Sequence, residues 1–133
     1  MGRIKSILLI DDDETTNFLN KLFVKQLDSN LEVNVVLNGK EAIDFLVLNG
    51  KEIAPCLIVL DTNMPVMNGW EFLANYEEKF DADFKEKNTV VMLTAVDTEK
   101  VVAKAMADPN VDDTAQKPLS DLTFRVLINK HFS

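Results

Sequence analysis

The sequence contains a single cysteine, Cys56, so no internal disulfide can form and a cytoplasmic location is expected. It has no apolar run near the roughly 20 residues that a membrane-spanning helix needs. Its start, Met1-Gly-Arg-Ile-Lys-Ser6, lacks the apolar segment of a signal peptide. Basic residues are the minority: 14 Lys and Arg stand against 22 Asp and Glu, a net charge of −8. That balance opposes direct binding to nucleic acid, whose affinity rests largely on Lys and Arg at phosphates. It suits contact with protein partners, and clustered acids would suit a divalent cation. Internal repeats, low-complexity tracts and linkers are absent as well.

What is present is enough for one domain, residues 1–133, with no separate output domain expected. At 47% hydrophobic and 27% charged residues, the chain can bury a core without metals or disulfides. Three short apolar runs stand out, Ile7 to Ile10, Leu57 to Leu60 and Thr89 to Thr94, and Val33-Asn-Val-Val-Leu37 reads as a further strand. Continuous apolar runs of this length suit strands buried on both faces of a parallel sheet. A weaker strand is expected around Asp113 to Gln116.

Helical patterns separate the runs. Phe18, Leu19, Leu22, Phe23 and Leu27 recur at helical spacing after Asp13, a plausible N-cap. A second helix spans Glu41 to Leu48, with Ala42, Ile43, Leu46 and Val47 inward and a stop near Asn49-Gly50. Trp70, Phe72, Leu73 and Tyr76 mark a third, and Thr98 to Ala107 a fourth. The last carries Leu119, Leu122, Val126 and Leu127 inward, with His131 in its final turn as a surface residue. The polar segment 81–88 reads as a charged connection. Five strands alternating with five helices imply an α/β fold, a doubly wound parallel sheet covered on both sides. In such sheets ligands gather outside the carboxyl ends of the strands.

Those ends carry the chemistry. The first strand offers Asp11 and Asp12, the third Asp61, the fourth Thr94 and the fifth Lys117. Three carboxylates on one rim repel unless a cation intervenes. Mg²⁺ is the natural candidate, a hard ion that takes carboxylates, carbonyls and waters beside a phosphate, with Mn²⁺ as a substitute. A lysine and a hydroxyl nearby supply a charge and a hydrogen bond for an anion. Together these residues describe a phosphoryl-transfer site, and an aspartate can itself be the nucleophile. Taken singly, each is weak: acids after a strand often only cap a helix, as Asp13 is expected to do. Cys56 reads as a small apolar filler. Trp70, Phe72 and Tyr76 read as helix packing, and Met64, Met67 and the nearby turn as surface residues that could form part of a docking surface.

The set Ile10-Asp-Asp-Asp13, Leu60-Asp-Thr-Asn-Met-Pro-Val-Met-Asn-Gly69, Leu93-Thr-Ala95 and Gln116-Lys-Pro118 closely resembles the receiver domain of two-component response regulators. The resemblance covers nearly the whole chain and implies the flavodoxin-like sheet order 2-1-3-4-5 with five flanking helices. It implies that Asp61 accepts a phosphoryl group from a sensor histidine kinase or phosphotransfer protein. Asp12 would bind Mg²⁺ directly, Asp11 mainly through water, and the Asn63 backbone carbonyl would complete the protein ligands. Thr94 and Lys117 would contact phosphoryl oxygens, and Lys117-Pro118 would be cis. The implied protein is not a conventional enzyme; it catalyses its own phosphorylation and slow dephosphorylation and signals to a downstream protein target. The helix from Thr98, the last strand and the last helix form the family's usual dimerisation and output face. One departure stands out: where many receivers carry Tyr or Phe, this chain has Thr114, which shifts the expected output toward backbone movement after Thr94.

Other functions compete. A phosphorelay shuttle would pass the phosphoryl group from Asp61 to another histidine. A phosphorylation-independent scaffold would be expected to lack some of the five site residues, and none is missing. An aspartate-nucleophile phosphatase would want a second acid two positions after Asp61, where Asn63 stands; an amide cannot donate and regain a proton.

Overall fold

A computed structural model describes residues 3–94 and 99–132. Five strands form one parallel sheet: β1 (Ser6–Ile10), β2 (Glu32–Val36), β3 (Cys56–Leu60), β4 (Thr89–Thr94) and β5 (Asp113–Gln116), in the order β2-β1-β3-β4-β5. The three central strands are buried along their whole length. This is the arrangement expected of uninterrupted apolar runs, because a parallel sheet needs cover on both faces. Side chains alternate between two cores. Leu8, Ile10, Ile58 and Leu60 join one face, and Ile7, Leu9, Leu57 and Val59 the other. Cys56 is fully buried and its thiol is pushed up to about 12 by burial, which makes it an inert filler.

Six helices surround the sheet among the described residues, one more than the sequence pattern suggests: α1 (Glu14–Leu27), α2 (Gly39–Ile53), α3 (Gly69–Lys79), α4 (Ala82–Lys87), α5 (Glu99–Ala107) and α6 (Asp121–His131). The additional α4 lies in the segment expected to be a simple connection. Asp81 caps it by accepting from the Phe84 N–H at 2.9 Å, and Phe84 stacks on Phe80 at 4.6 Å between ring centroids. The stop expected at Asn49-Gly50 is absent. Helix α2 continues to Ile53, and Gly50 is where the Phe84 ring approaches; a Cβ there would lie 2.6 Å from the ring. The expected start of α5 at Thr98 lies outside the described residues.

Several inward faces differ from the apolar stripes. Helix α1 turns Asn17, Asn20 and Val24 inward and leaves Phe18, Leu19 and Leu22 exposed. In α2, Val47 is exposed while Ile53 is buried; in α6, Phe124 and Leu127 are buried while Leu122 and Val126 are exposed. A helical repeat specifies a stripe, but contact with the sheet selects which of two adjoining stripes is used. Met64 and Met67 also pack partly against the core rather than standing free, and Pro65 and Val66 between them are exposed. Phe72 and Tyr76 are buried, as their spacing suggests. Among the described residues, no helix is long and apolar enough to cross a membrane.

The loop after β3 is tightly fitted. The Gly69 N–H donates to the Thr62 carbonyl at 3.0 Å, and a Cβ at Gly69 would clash with the Asp61 carbonyl oxygen. Gly69→Ala therefore forces that backbone apart. We expect a loss of about 1–3 kcal/mol, the range for overpacking a filled site, measured by urea denaturation. An unchanged midpoint would show that the loop relaxes freely.

Candidate functional site

Register brings the acids together. Ile10 pairs with Leu60 across β1 and β3, so the next residue in each strand, Asp11 and Asp61, emerges side by side. The backbone fixes both: the Asp61 N–H donates to the Ile10 carbonyl at 3.0 Å, and the Asp11 N–H to the Val36 carbonyl at 3.1 Å. Asp11 and Asp61 are buried and Asp12 is exposed at the mouth. Carboxylate oxygens of all three lie within 4.8 Å of one another.

Lys117 closes the site from β5. Its Nζ lies 3.3 Å from Asp11 Oδ2 and 3.4 Å from Asp61 Oδ1. Its own N–H donates to the Thr94 carbonyl at 2.8 Å, which ties the end of β5 to the end of β4. The Lys117-Pro118 peptide is cis, as the resemblance implies; Ala54-Pro55 is a second cis bond, with no sequence expectation behind it.

Charge and burial are not balanced here. Burial raises the Asp61 pKa first, Asp11 adds to the rise, and Lys117 only partly offsets it. For Lys117, burial works against the ammonium, but the Asp11 and Asp61 carboxylates outweigh it and hold the pKa above its usual value. The Asp11–Lys117 contact is an ion pair without hydrogen-bond geometry, and Asp11 Oδ2 is buried with no bonded donor. An orphaned carboxylate oxygen among three acids is the donor set a hard dication fits.

Not every expected residue joins the cluster. Thr94 is buried at the end of β4, but its side chain makes no hydrogen bond to the cluster; its neighbour Ala95 lies outside the described residues. Asn63 is exposed two residues beyond Asp61, and its carbonyl enters no backbone hydrogen bond among the described residues. Asp13 does cap α1: it accepts from the Thr16 N–H at 3.0 Å and also from the Thr16 hydroxyl. His131 sits far from the rim, with Nε2 3.0 Å from Asp113 Oδ2 at the start of β5. Beside the acids, the Met67 N–H donates to the Pro65 carbonyl at 2.7 Å across Val66, whose φ is 68°. This is a γ-turn, strained for a β-branched residue. Pattern reasoning passed over Asn17, whose side-chain amide donates to the Asp11 carbonyl at 2.8 Å.

Comparison with known proteins agrees with this geometry. The family model "Response regulator receiver domain" matches residues 7–129. The chemotaxis protein CheY of Halobacterium salinarum is 31% identical over 118 residues, covering 86% of this chain and 88% of that protein. The "Probable C4-dicarboxylate response regulator DctR" of Halalkalibacterium halodurans is 29% identical over 86% of this chain, and the chain spans only 45% of its length. Among solved structures, a two-component response regulator from Cytophaga hutchinsonii is 35% identical, with 96% of each chain covered and a TM-score of 0.86. With the sheet order, the rim of acids and the lysine opposite them already in place, these matches establish that the chain belongs to the response regulator receiver domain family of two-component signalling.

Proposed function

We propose that Asp61 is the phosphoacceptor of this receiver, that Asp11, Asp12, Asp61 and the Asn63 carbonyl hold a Mg²⁺ ion, and that Thr94 and Lys117 receive the phosphoryl oxygens. The observation that carries this reading is the cluster itself: three carboxylate oxygens within 4.8 Å, with one lysine touching two of the acids. Residues 1–133 act as a single receiver that signals through protein contacts in the cytoplasm. The phosphodonor is a sensor histidine kinase or a phosphotransfer protein. The output partner is a protein, reached by a face built from α5, β5 and α6, which also serves for dimerisation.

In the transfer, an Asp61 carboxylate oxygen forms a bond to phosphorus as the N–P bond of the donor phosphohistidine breaks and the imidazole leaves. Burial strips water from the nucleophile. Lys117, already positioned at 3.4 Å, meets charge that develops on the transferred oxygens, and the Thr94 hydroxyl at the adjacent strand end can donate to another. A bound Mg²⁺ supplies the remaining positive charge. Asn63 in place of a second acid leaves no proton donor for turnover of phosphomonoesters, so sustained hydrolysis of such esters is not expected.

Intact mass after incubation with Mg²⁺ and acetyl phosphate tests the acceptor. One added phosphoryl mass in the wild type, lost with chelator and lost in Asp61→Ala, is the expected result. A modified Asp61→Ala protein would overturn the assignment. No gain in the wild type with acetyl phosphate and with a panel of histidine kinases would favour the scaffold reading.

A pH prediction follows from the raised Asp61 pKa. A carboxyl whose pKa is higher folded than unfolded stabilises the fold in acid and costs stability once ionised. Without metal at pH 7, Asp61→Asn should therefore melt higher than the wild type. The advantage should shrink as the pH falls through the raised folded pKa toward the ordinary value of 3.8. Saturating Mg²⁺ should narrow or reverse it, because the ion stabilises the wild type by binding only its folded state. Thermal scans across pH with EDTA or Mg²⁺ check all three signs; a wild type that melts higher at pH 7 without metal would contradict the charge balance described here.

A further inference from the structure

Helix α1 presents two asparagines to the core and three large apolar residues to solvent. Asn17 and Asn20 are each 4% exposed, whereas Phe18 is 63% exposed. Burying an amide costs free energy unless both ends find partners. Asn17 does not meet that condition: its Nδ2 donates to the Asp11 carbonyl at 2.8 Å, while its Oδ1 is buried with no partner. A leucine at this position would avoid the cost and extend the apolar core. The amide has to be explained by what it holds.

What it holds is the peptide that joins Asp11 to Asp12. That peptide plane sets ψ of Asp11 and φ of Asp12, and with them the directions of both side chains. Asp11 has a second restraint, since its Oδ1 accepts the Asp13 N–H at 3.0 Å. Among the described residues the Asp12 carboxylate accepts no hydrogen bond, so its aim comes from the backbone alone. The Asn17 bond spans six residues, from the first turns of α1 to the end of β1, and locks the turn between them.

We propose that Asn17 is a positioning residue of the acidic site: by fixing the Asp11–Asp12 peptide it holds two carboxylates in the geometry that accepts Mg²⁺. The inference rests on the proposed metal site and adds to it a residue that touches neither the cation nor the phosphoryl group. Asn20 provides the internal control. It is equally buried on the same helix, lines a cleft beside Pro118 and makes no bond to the acidic turn.

Mg²⁺ titration by calorimetry on the wild type, Asn17→Leu, Asn17→Ala and Asn20→Leu tests it, with circular dichroism melts to select the folded variants. Asn17→Leu and Asn17→Ala should bind Mg²⁺ about tenfold or more weakly, the usual loss when a residue supporting metal ligands is removed. Asn20→Leu should stay within about twofold of the wild type. Alanine keeps the test open where leucine does not fit. Folded Asn17 variants with wild-type affinity would overturn the proposal, and so would an Asn20→Leu protein that loses as much. A wild type that takes up no Mg²⁺ would overturn the metal site, and this inference with it. Wild-type binding with unaffected Asn17 variants would overturn this inference alone.

Discussion

Three carboxylates confined within 4.8 Å are the constraint to which the rest of the molecule answers. Left alone they would repel and spread, since like charges at this distance in a partly buried site are weakly screened. The backbone prevents this. Neighbouring parallel strands run about 4.8 Å apart, and the Ile10–Leu60 register makes Asp11 and Asp61 the first residues beyond a paired ladder. Their N–H groups are committed to the Val36 and Ile10 carbonyls, so neither can withdraw without breaking sheet hydrogen bonds. Lys117 offsets part of the repulsion from a backbone pinned to Thr94. The apolar sheet beneath supplies the stability that a crowded acidic rim removes.

The sheet was legible because both its faces are covered. Runs such as Ile7 to Ile10 and Leu57 to Leu60 have no polar alternation to misplace, so their identity as strands and their carboxyl ends follow directly. The positions of Asp11, Asp61 and Thr94 were legible for the same reason, since each sits at the end of such a run, whereas Lys117 follows the short polar strand β5 and stood out only through its Lys-Pro pair. Helix faces were legible only in part: Ala42, Ile43 and Leu46 of α2 and Phe72, Leu73 and Tyr76 of α3 are buried as expected, but α1 is not so simple. The stripe of Phe18, Leu19 and Leu22 satisfies helical periodicity as well as any core stripe, yet the protein buries the neighbouring stripe of Asn17, Asn20 and Val24. Only knowledge that the Asp11 carbonyl needs a donor would have pointed to it. Helix α4 was hidden because its six residues depend on tertiary contacts, the Phe84 ring seated at Gly50 and stacked on Phe80. Gly50 looks like a helix stop until the ring that occupies its missing side chain is known.

Helix α5 stands apart from the other long helices in how little it buries. Ala105 is its one buried residue, whereas α2 buries six. Part of its attachment is a cation–π contact, Lys104 Nζ 4.1 Å from the Trp70 ring centroid, a type worth roughly 0.5–1 kcal/mol at a solvent-accessible site. Trp70 follows Gly69, which is packed against the Asp61 carbonyl. The backbone of the proposed acceptor and the helix of the proposed output face are thus joined through two adjacent residues of α3. Light packing of this kind belongs to the low-stability end of a structure, where elements move at small cost.

Violations of local rules are not scattered at random. The raised Asp61 carboxyl, the unbonded Asp11 Oδ2, the unbonded Asn17 Oδ1 and the positive φ of Val66 all lie around the carboxyl ends of β1 and β3. Each costs stability by itself, and an apolar or glycine substitute would have removed each cost. Two lie elsewhere: the buried Tyr76 hydroxyl, unpartnered in the aromatic cluster with Phe80 and Phe84, and Asp112 just before β5, whose carboxyl pKa is raised by burial. A sequence shaped for stability alone would not concentrate three unfavourable polar groups and a strained turn at one rim. Their concentration there is the physical signature of a site kept for what it binds.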